Sequence, residues 1–209
     1  SLELSYGRGA RPANMEERYI AFFNIGRDPY EYVGNPNLKA EVNNQFELGL
    51  HGKEVYTGTL KNFNFSVSAF YSIYENYIVG LVDESLTRKN MPNQPPVHPK
   101  VFRNLDEAYK TGFEISGELV FTSGIKLGTD LAYTYTQNED LGESLPLSPP
   151  LVSRSRVEYE NSKFWTGIYY NITADQENIA PSFGESRTPG YSIMDLKAGT
   201  TAIKNLNFG

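Results

Sequence analysis

Cysteine is absent from this chain of 209 residues, which excludes a disulfide scaffold and any thiolate metal site while leaving the redox compartment open. Histidine is nearly absent too. His51 and His98 stand in different segments, with no second histidine or carboxylate at ligand spacing, so no metal site is expected. Met15, Met91 and Met194 are too scattered for a soft-metal site. No uncharged apolar run approaches the roughly 18 residues of a membrane helix, and no basic segment followed by an apolar core opens the sequence. Basic residues are in the minority. With 19 Lys and Arg against 25 Asp and Glu, the formal net charge is −6. No Lys/Arg cluster stands out, so nucleic acid and anionic headgroups are not expected partners. No Gly-x-Ser-x-Gly, phosphate-loop or His-Glu-x-x-His sequence is present, and Glu139, Asp140 and Glu143 lack EF-hand spacing. Neither enzyme activity nor a cofactor is expected.

Aromatic residues are plentiful, with 15 Tyr and 12 Phe, although only 39% of the chain is hydrophobic. About eight stretches alternate apolar and polar residues over strand-like lengths. In the stretch from 60 to 74, Phe63, Phe65, Val67, Ala69, Tyr71 and Ile73 share one side, and Asn62, Asn64, Ser66, Ser68 and Ser72 the other. A period of two places these sets on opposite faces of a strand. Soluble strands usually end after about five or six residues. Longer runs suit tilted strands that cross a hydrocarbon layer and continue beyond it.

The connections alternate in length. Strands are expected at about 2–9, 44–53, 60–82, 101–121, 125–138, 151–160, 164–174 and 191–201, with another beginning near the end. Long, proline-bearing connections (Pro12, Pro29, Pro36; Pro92, Pro95, Pro96, Pro99; Pro149, Pro150) take turns with short ones such as Thr122-Ser123-Gly124 and Asn161-Ser162-Lys163. Outer-membrane barrels show this asymmetry, with short periplasmic turns and long extracellular loops. Phe63, Phe121, Phe164 and Trp165 lie beside the short turns, and Tyr71, Tyr135 and Tyr191 nearer the long ones, as two aromatic girdles would. Glu114, Glu118, Asp130, Arg154, Arg156 and Glu158 all fall on the expected polar, lumen-facing side. Gly34-Asn35-Pro36-Asn37 reads as a turn leading into a strand, and Gly112 or Gly117 as the site of a bend or bulge.

"SYGRGARPANMEERY" and "YVGNPNLKAEVNNQFELGL" (Tyr32 to Leu50) resemble two segments of TonB-dependent outer-membrane receptors, a late barrel strand ending in a Gly-x-Arg-Pro-like bend and the Gly-Asn-Pro-x-Leu-x-x-Glu segment after it. Ala40 stands where that family commonly has proline. "FYSIYENYIVG", "FRNLDEAYKTGFEISGEL" and "TPGYSIMDLKAG" follow in the family's order. The resemblance implies an all-β, antiparallel transmembrane β-barrel, present in part: about eight strands plus the start of a ninth, from a barrel of about 22. On that reading residues 1–209 are the C-terminal portion of the barrel, truncated at both ends, without the plug domain or the segment that meets the TonB complex.

The resemblance further implies a location in the outer membrane of a Gram-negative bacterium and contact with outer-membrane lipid. It implies import of a ferric siderophore, cobalamin or another metal chelate that binds at the outer loops. The loop candidates for ligand contact are Arg18, Tyr19, Arg27, Tyr30 and Tyr32 in the first long connection, His98 in the second, and Gln176, Glu177 and Arg187 in the fourth. Two other readings fit the alternation. One is a passive porin or adhesin barrel. The other is a soluble β-sandwich binding module whose apolar faces pack on each other.

Overall fold

The computed structural model describes residues 1–23, 30–87 and 98–200. Eight long strands form one antiparallel sheet. In order they are β1 (Leu2–Arg11), β4 (Glu41–Val55), β5 (Leu60–Val82), β6 (Lys100–Phe121), β7 (Ile125–Asn138), β8 (Val152–Glu160), β9 (Phe164–Thr173) and β10 (Tyr191–Thr200). A short helix α1 (Met15–Tyr19) and two three-residue strands, β2 (Ala21–Phe23) and β3 (Glu31–Val33), fill the first long connection. β3 pairs with β2 and runs parallel to the start of β6. β1 and β10 end the sheet without meeting, so the barrel is partial and open. The expected ninth strand, Arg27, and Pro92, Pro95 and Pro96 lie outside the described residues. No described helix is long and apolar enough to cross a membrane, which says nothing about crossing by strands.

Continuous register gives the sheet two faces. Leu4, Leu48, Ala69, Phe113 and Tyr133 align across five strands, as do Leu2, Leu50, Val67, Ile115 and Leu131. This face is bare: Leu4 is 81% and Leu196 71% exposed. Aromatic pairs flank it at both ends. Tyr6–Phe46 and Tyr71–Tyr109–Tyr135 lie toward the long connections, and Phe63–Phe65 and Tyr159–Phe164 toward the short turns. Trp165 and Tyr191 depart from the girdle expectation. Pairing with Glu160 and Thr173 turns them to the polar face, because distance from a turn does not fix which side of the pleat a residue takes.

The polar face carries Glu114, Glu118, Asp130, Arg154, Arg156 and Glu158 together, as their registers require. Arg156 lies across β7 to reach Glu118 at 2.7 Å and Asp130 at 3.6 Å. Gly128 makes that path possible, because a Cβ there would lie 2.5 Å from the Arg156 Cζ. Glu158 accepts the Tyr169 hydroxyl at 2.6 Å. Glu114 and Arg154 instead line a depression of about 440 Å³ with Ser66, Ser68 and Asp130.

Short turns close one end of the sheet. Asn161 Oδ1 accepts the Lys163 and Phe164 N–H groups, an Asx turn. Gly124, at φ +91°, brings its backbone against Glu160, where a Cβ would sit 2.1 Å from the carbonyl oxygen. Gly112 and Gly117 produce no bulge. The β5–β6 register runs through both, and its one shift falls between Leu60 and Asn62.

At the other end β5 and β6, of 23 and 22 residues, overshoot their neighbours. Where they leave the wall, Asn76 adopts φ +55°. There the Asp106 and Glu107 N–H groups turn to the Asp140 carboxylate (2.7 and 3.3 Å). Strict alternation slips at this level, for Ala108 and Leu105, three positions apart, join one buried cluster. The projecting hairpin is covered on both sides. Val79, Leu81 and Leu105 pack with Leu145 and Phe183, and Ile78 and Phe102 with Ala13 and Leu38.

Candidate functional site

The described parts of the four long connections fold into a cap over this end of the sheet, and the first connection is fastened at both ends. Asn14 and Glu17 form a reciprocal capping box on α1, with side chain to backbone bonds of 2.8 and 2.7 Å. Arg11, the last residue of β1, grips Glu17 through two bonds (2.8 and 2.9 Å) and reaches Glu41, the first residue of β4, at 3.3 Å. Glu41 also accepts the Ile78 N–H at 2.9 Å, tying the loop to the projecting hairpin. Asn104 completes the join. Its side chain accepts from the Lys39 N–H at 2.9 Å and donates to the Lys39 and Asn76 carbonyls.

The second connection starts at Asp83. The Ser85 hydroxyl and N–H, with Arg103 at 3.2 Å, hold the Asp83 carboxyl below its usual range. The third is anchored by the hydroxyls of Thr136, Ser144 and Ser148, all buried, beside the fully buried Leu145. Two carboxylates bind it to the fourth. Glu143 accepts from the Ser182 hydroxyl and N–H, and Glu185 from the Leu147 and Ala180 N–H groups (2.7 and 2.9 Å). Burial of Tyr77 in this cap, and then the nearby Glu41 charge, push its phenol up to about 12.

The sequence-predicted loop residues divide into engaged and uncommitted. Arg18 donates to the carbonyls of Ala13, Pro36 and Leu38 (3.4, 2.5 and 3.0 Å). Tyr30 and Tyr32 pack around the Lys100 ammonium, and Tyr32 also meets the Phe102 ring at 5.8 Å. Gln176 donates to the Ser148 and Asn178 carbonyls. The His98 ring nitrogen Nδ1 lies 2.7 Å from the Leu86 carbonyl oxygen. Tyr19, 61% exposed, Glu177 and Arg187 point to solvent with no hydrogen-bond or ionic partner among the described residues. Glu177 and Gln176 border a recess of about 460 Å³ beside Tyr133 and Leu151.

Among the described residues, no group of three or more His, Asp or Glu is placed to hold a metal ion. The arrangement is suited to binding: exposed aromatic, cationic and anionic side chains stand on loops whose backbones are tied down. Sequence reasoning missed the ties themselves, namely Arg11, Glu41, Lys100, Glu143 and Glu185. Only the helix carried a local signal, Asn14-x-x-Glu17.

Comparison with known proteins agrees with this architecture. The family described as "TonB dependent receptor-like, beta-barrel" matches residues 1–209. No curated protein matches the sequence. Among solved structures, the copper transporter OprC aligns with a TM-score of 0.77 at 20% identity, over 99% of this chain and 29% of that one. The ferric enterobactin receptor PfeA, in complex with BCV-L6, gives 0.71 at 18% identity, over 99% of this chain and 31% of that one. The siderophore receptor PirA from Pseudomonas aeruginosa gives 0.66 at 16% identity, over 99% and 34%. This chain thus spans about a third of the length of the structures it matches.

Proposed function

This chain belongs to the TonB-dependent receptor β-barrel family, and from that premise we propose that it forms part of the wall and outer cap of an energised importer in a Gram-negative outer membrane. The observation that carries the reading is one continuous sheet. It is bare and apolar on one side and ionic on the other, and it ends in tightly fastened loops on one rim only. A bare apolar face flanked by aromatic pairs suits contact with lipid. The polar face, with Glu114, Arg154 and the Arg156 cluster, lines the lumen, where a plug domain in the complete receptor packs against it. The TonB complex engages a region outside this chain. The cap gathers the ligand.

The substrate class we propose is an intact anionic chelate, a ferric siderophore first. Tyr19 offers an exposed ring and Arg187 a cation, groups that stack on and pair with an anionic aromatic chelator. The similarity to a ferric enterobactin receptor and a siderophore receptor supports this choice. The engaged residues Arg18, Tyr30, Tyr32 and Gln176 hold the loops for those that touch ligand.

The test is uptake of a radio-iron-loaded catecholate siderophore by cells with and without the full-length gene, in backgrounds with and without TonB. Saturable uptake that needs both is expected. Uptake that needs the gene but persists without TonB would convert the reading to a passive barrel. Uptake of cobalamin or copper, and not of the ferric chelate, would retain the importer and overturn the substrate class.

A further inference from the structure

We propose that Lys100 is a positioning residue that locks the first and fourth outer loops together, so that the two sides of the ligand opening move as one piece. Lys100 begins β6 and is 2% exposed. Its ammonium lies 3.5 Å from the centroid of the Phe183 ring, 4.5 Å from that of Tyr30 and 5.4 Å from that of Tyr32, and it donates to the Tyr32 hydroxyl at 3.4 Å. Tyr30 and Tyr32 belong to the first loop. Phe183 sits on the single 3-10 turn of the fourth. The two loops also touch directly, for the Tyr30 hydroxyl edge packs on Gly184.

An ammonium removed from water must recover its lost hydration from charge-sensitive neighbours. The faces of aromatic rings supply negative potential, most effectively when the site is dry. The positive charge is therefore the fastener. A neutral side chain of similar length would fill the space but would not draw rings from two loops to one point. Tyr19 stands on the first of these loops and Glu177 and Arg187 on the fourth, so the lock sets the distance between their two sides of the opening.

The ligand-binding consequence rests on the importer reading; the lock itself does not. The experiment therefore has two readouts on the full-length receptor: amide hydrogen exchange, and siderophore uptake split into KM and maximal rate. In Lys100→Met, exchange in residues 30–38 and 178–188 is expected to accelerate together by about tenfold or more. Strands β7 and β8 should keep their protection. Uptake KM should rise severalfold at an unchanged maximal rate, and Lys100→Arg should restore both readouts. Phe183→Leu, which leaves the lysine in place, should loosen the same two segments and serves if the methionine variant fails to reach the membrane.

Unchanged exchange in either loop, or acceleration that spreads through residues 125–160, would overturn the lock. Failure of the arginine variant to restore would do the same. Should both loops loosen as expected while the unsubstituted receptor imports no ferric siderophore, the lock stands and the substrate reading falls.

Discussion

The wall of the sheet and the cap above it share β5 and β6 but follow opposite rules. In the wall, apolar residues face outward: Leu4, Leu48, Ile168 and Leu196 are exposed, and no buried hydrophobic cluster lies beneath them. In the cap, the carboxylates of Glu17, Glu41, Glu143 and Glu185 are tied by hydrogen bonds, and both buried hydrophobic clusters found among the described residues, around Leu105 and around Leu38, lie at this end. The wall leaves its apolar face exposed, whereas the cap makes its own interior. β5 passes through both. Its 23 residues span roughly 75 Å at about 3.3 Å each, against a hydrocarbon band about 25 Å tall. One half of the strand thus belongs to the bare wall and the other to a small folded body.

The largest test of that division is to open the cap from within. Leu105→Ala and Leu145→Ala each remove a side chain from the same cluster, at a cost of about 2–5 kcal/mol. Amide exchange should rise across residues 74–82, 100–108 and 139–150 while β8 and β9 keep their protection. Equal loss in β8 and β9 would mean that cap and wall unfold as one unit, and the contrast would collapse.

The reciprocal test charges the wall. Ile115→Arg places a cation on the bare face midway between the aromatic ends, at about 2–4 kcal/mol in lipid. Ser116→Arg, one residue on, faces Asp130 across the pairing and should change stability by less than about 1 kcal/mol. Urea unfolding of the receptor in lipid vesicles measures both. Similar losses for the two would sink the assignment of faces.

A smaller effect belongs to the polar face. Arg156→Met removes the bridge to Glu118 and Asp130. Because both partners of the shorter bridge are about a third exposed, the loss should stay near or below about 1 kcal/mol. Its signature is salt dependence: the difference from the unsubstituted receptor should shrink between low and high ionic strength. A difference that ignores salt would point to lost packing over Gly128 instead.

The wall was legible in the sequence and the cap was not, and the reason is range. Each wall residue takes its face from its immediate neighbours, so Phe63 through Ile73 announce their sides by alternation alone, and eight strands follow with nearly their full bounds. The alternating loop lengths were equally local. In the cap, Lys100 meets Tyr32 from 68 positions away and Phe183 from further still, distances over which no periodicity carries information. β2 and β3, three residues each, are too short to show a period. The segments that resembled the receptor family hold several of the fasteners: Glu41 in "GNPNLKAE" takes Arg11 and Ile78, and Asn104 in "FRNLDEAYKTGFEISGEL" takes Lys39 and Asn76. The motifs were recognisable as signatures before their job could be read. Tyr19, Glu177 and Arg187 are named by sequence position and left uncommitted by the fold.

The smallest expected effect, at neutral pH none at all, separates cap from wall by titration. The Tyr77 phenol is raised to about 12 by burial in the cap and by Glu41, against about 10 in an unfolded chain. A raised folded value means that the unfolded state releases its proton first as pH climbs. The contribution of Tyr77 is therefore fully present below about pH 10 and is lost between about pH 10 and 12. Cap opening, followed by exchange in residues 74–82, should become easier across that interval beyond the ordinary base-catalysed rise seen in β8. Tyr77→Phe keeps the ring and deletes the titrating group, so the excess should vanish in that variant. An excess that survives the substitution would assign the alkaline sensitivity to another group, with Tyr74, also raised by burial and by Glu41, the next to replace.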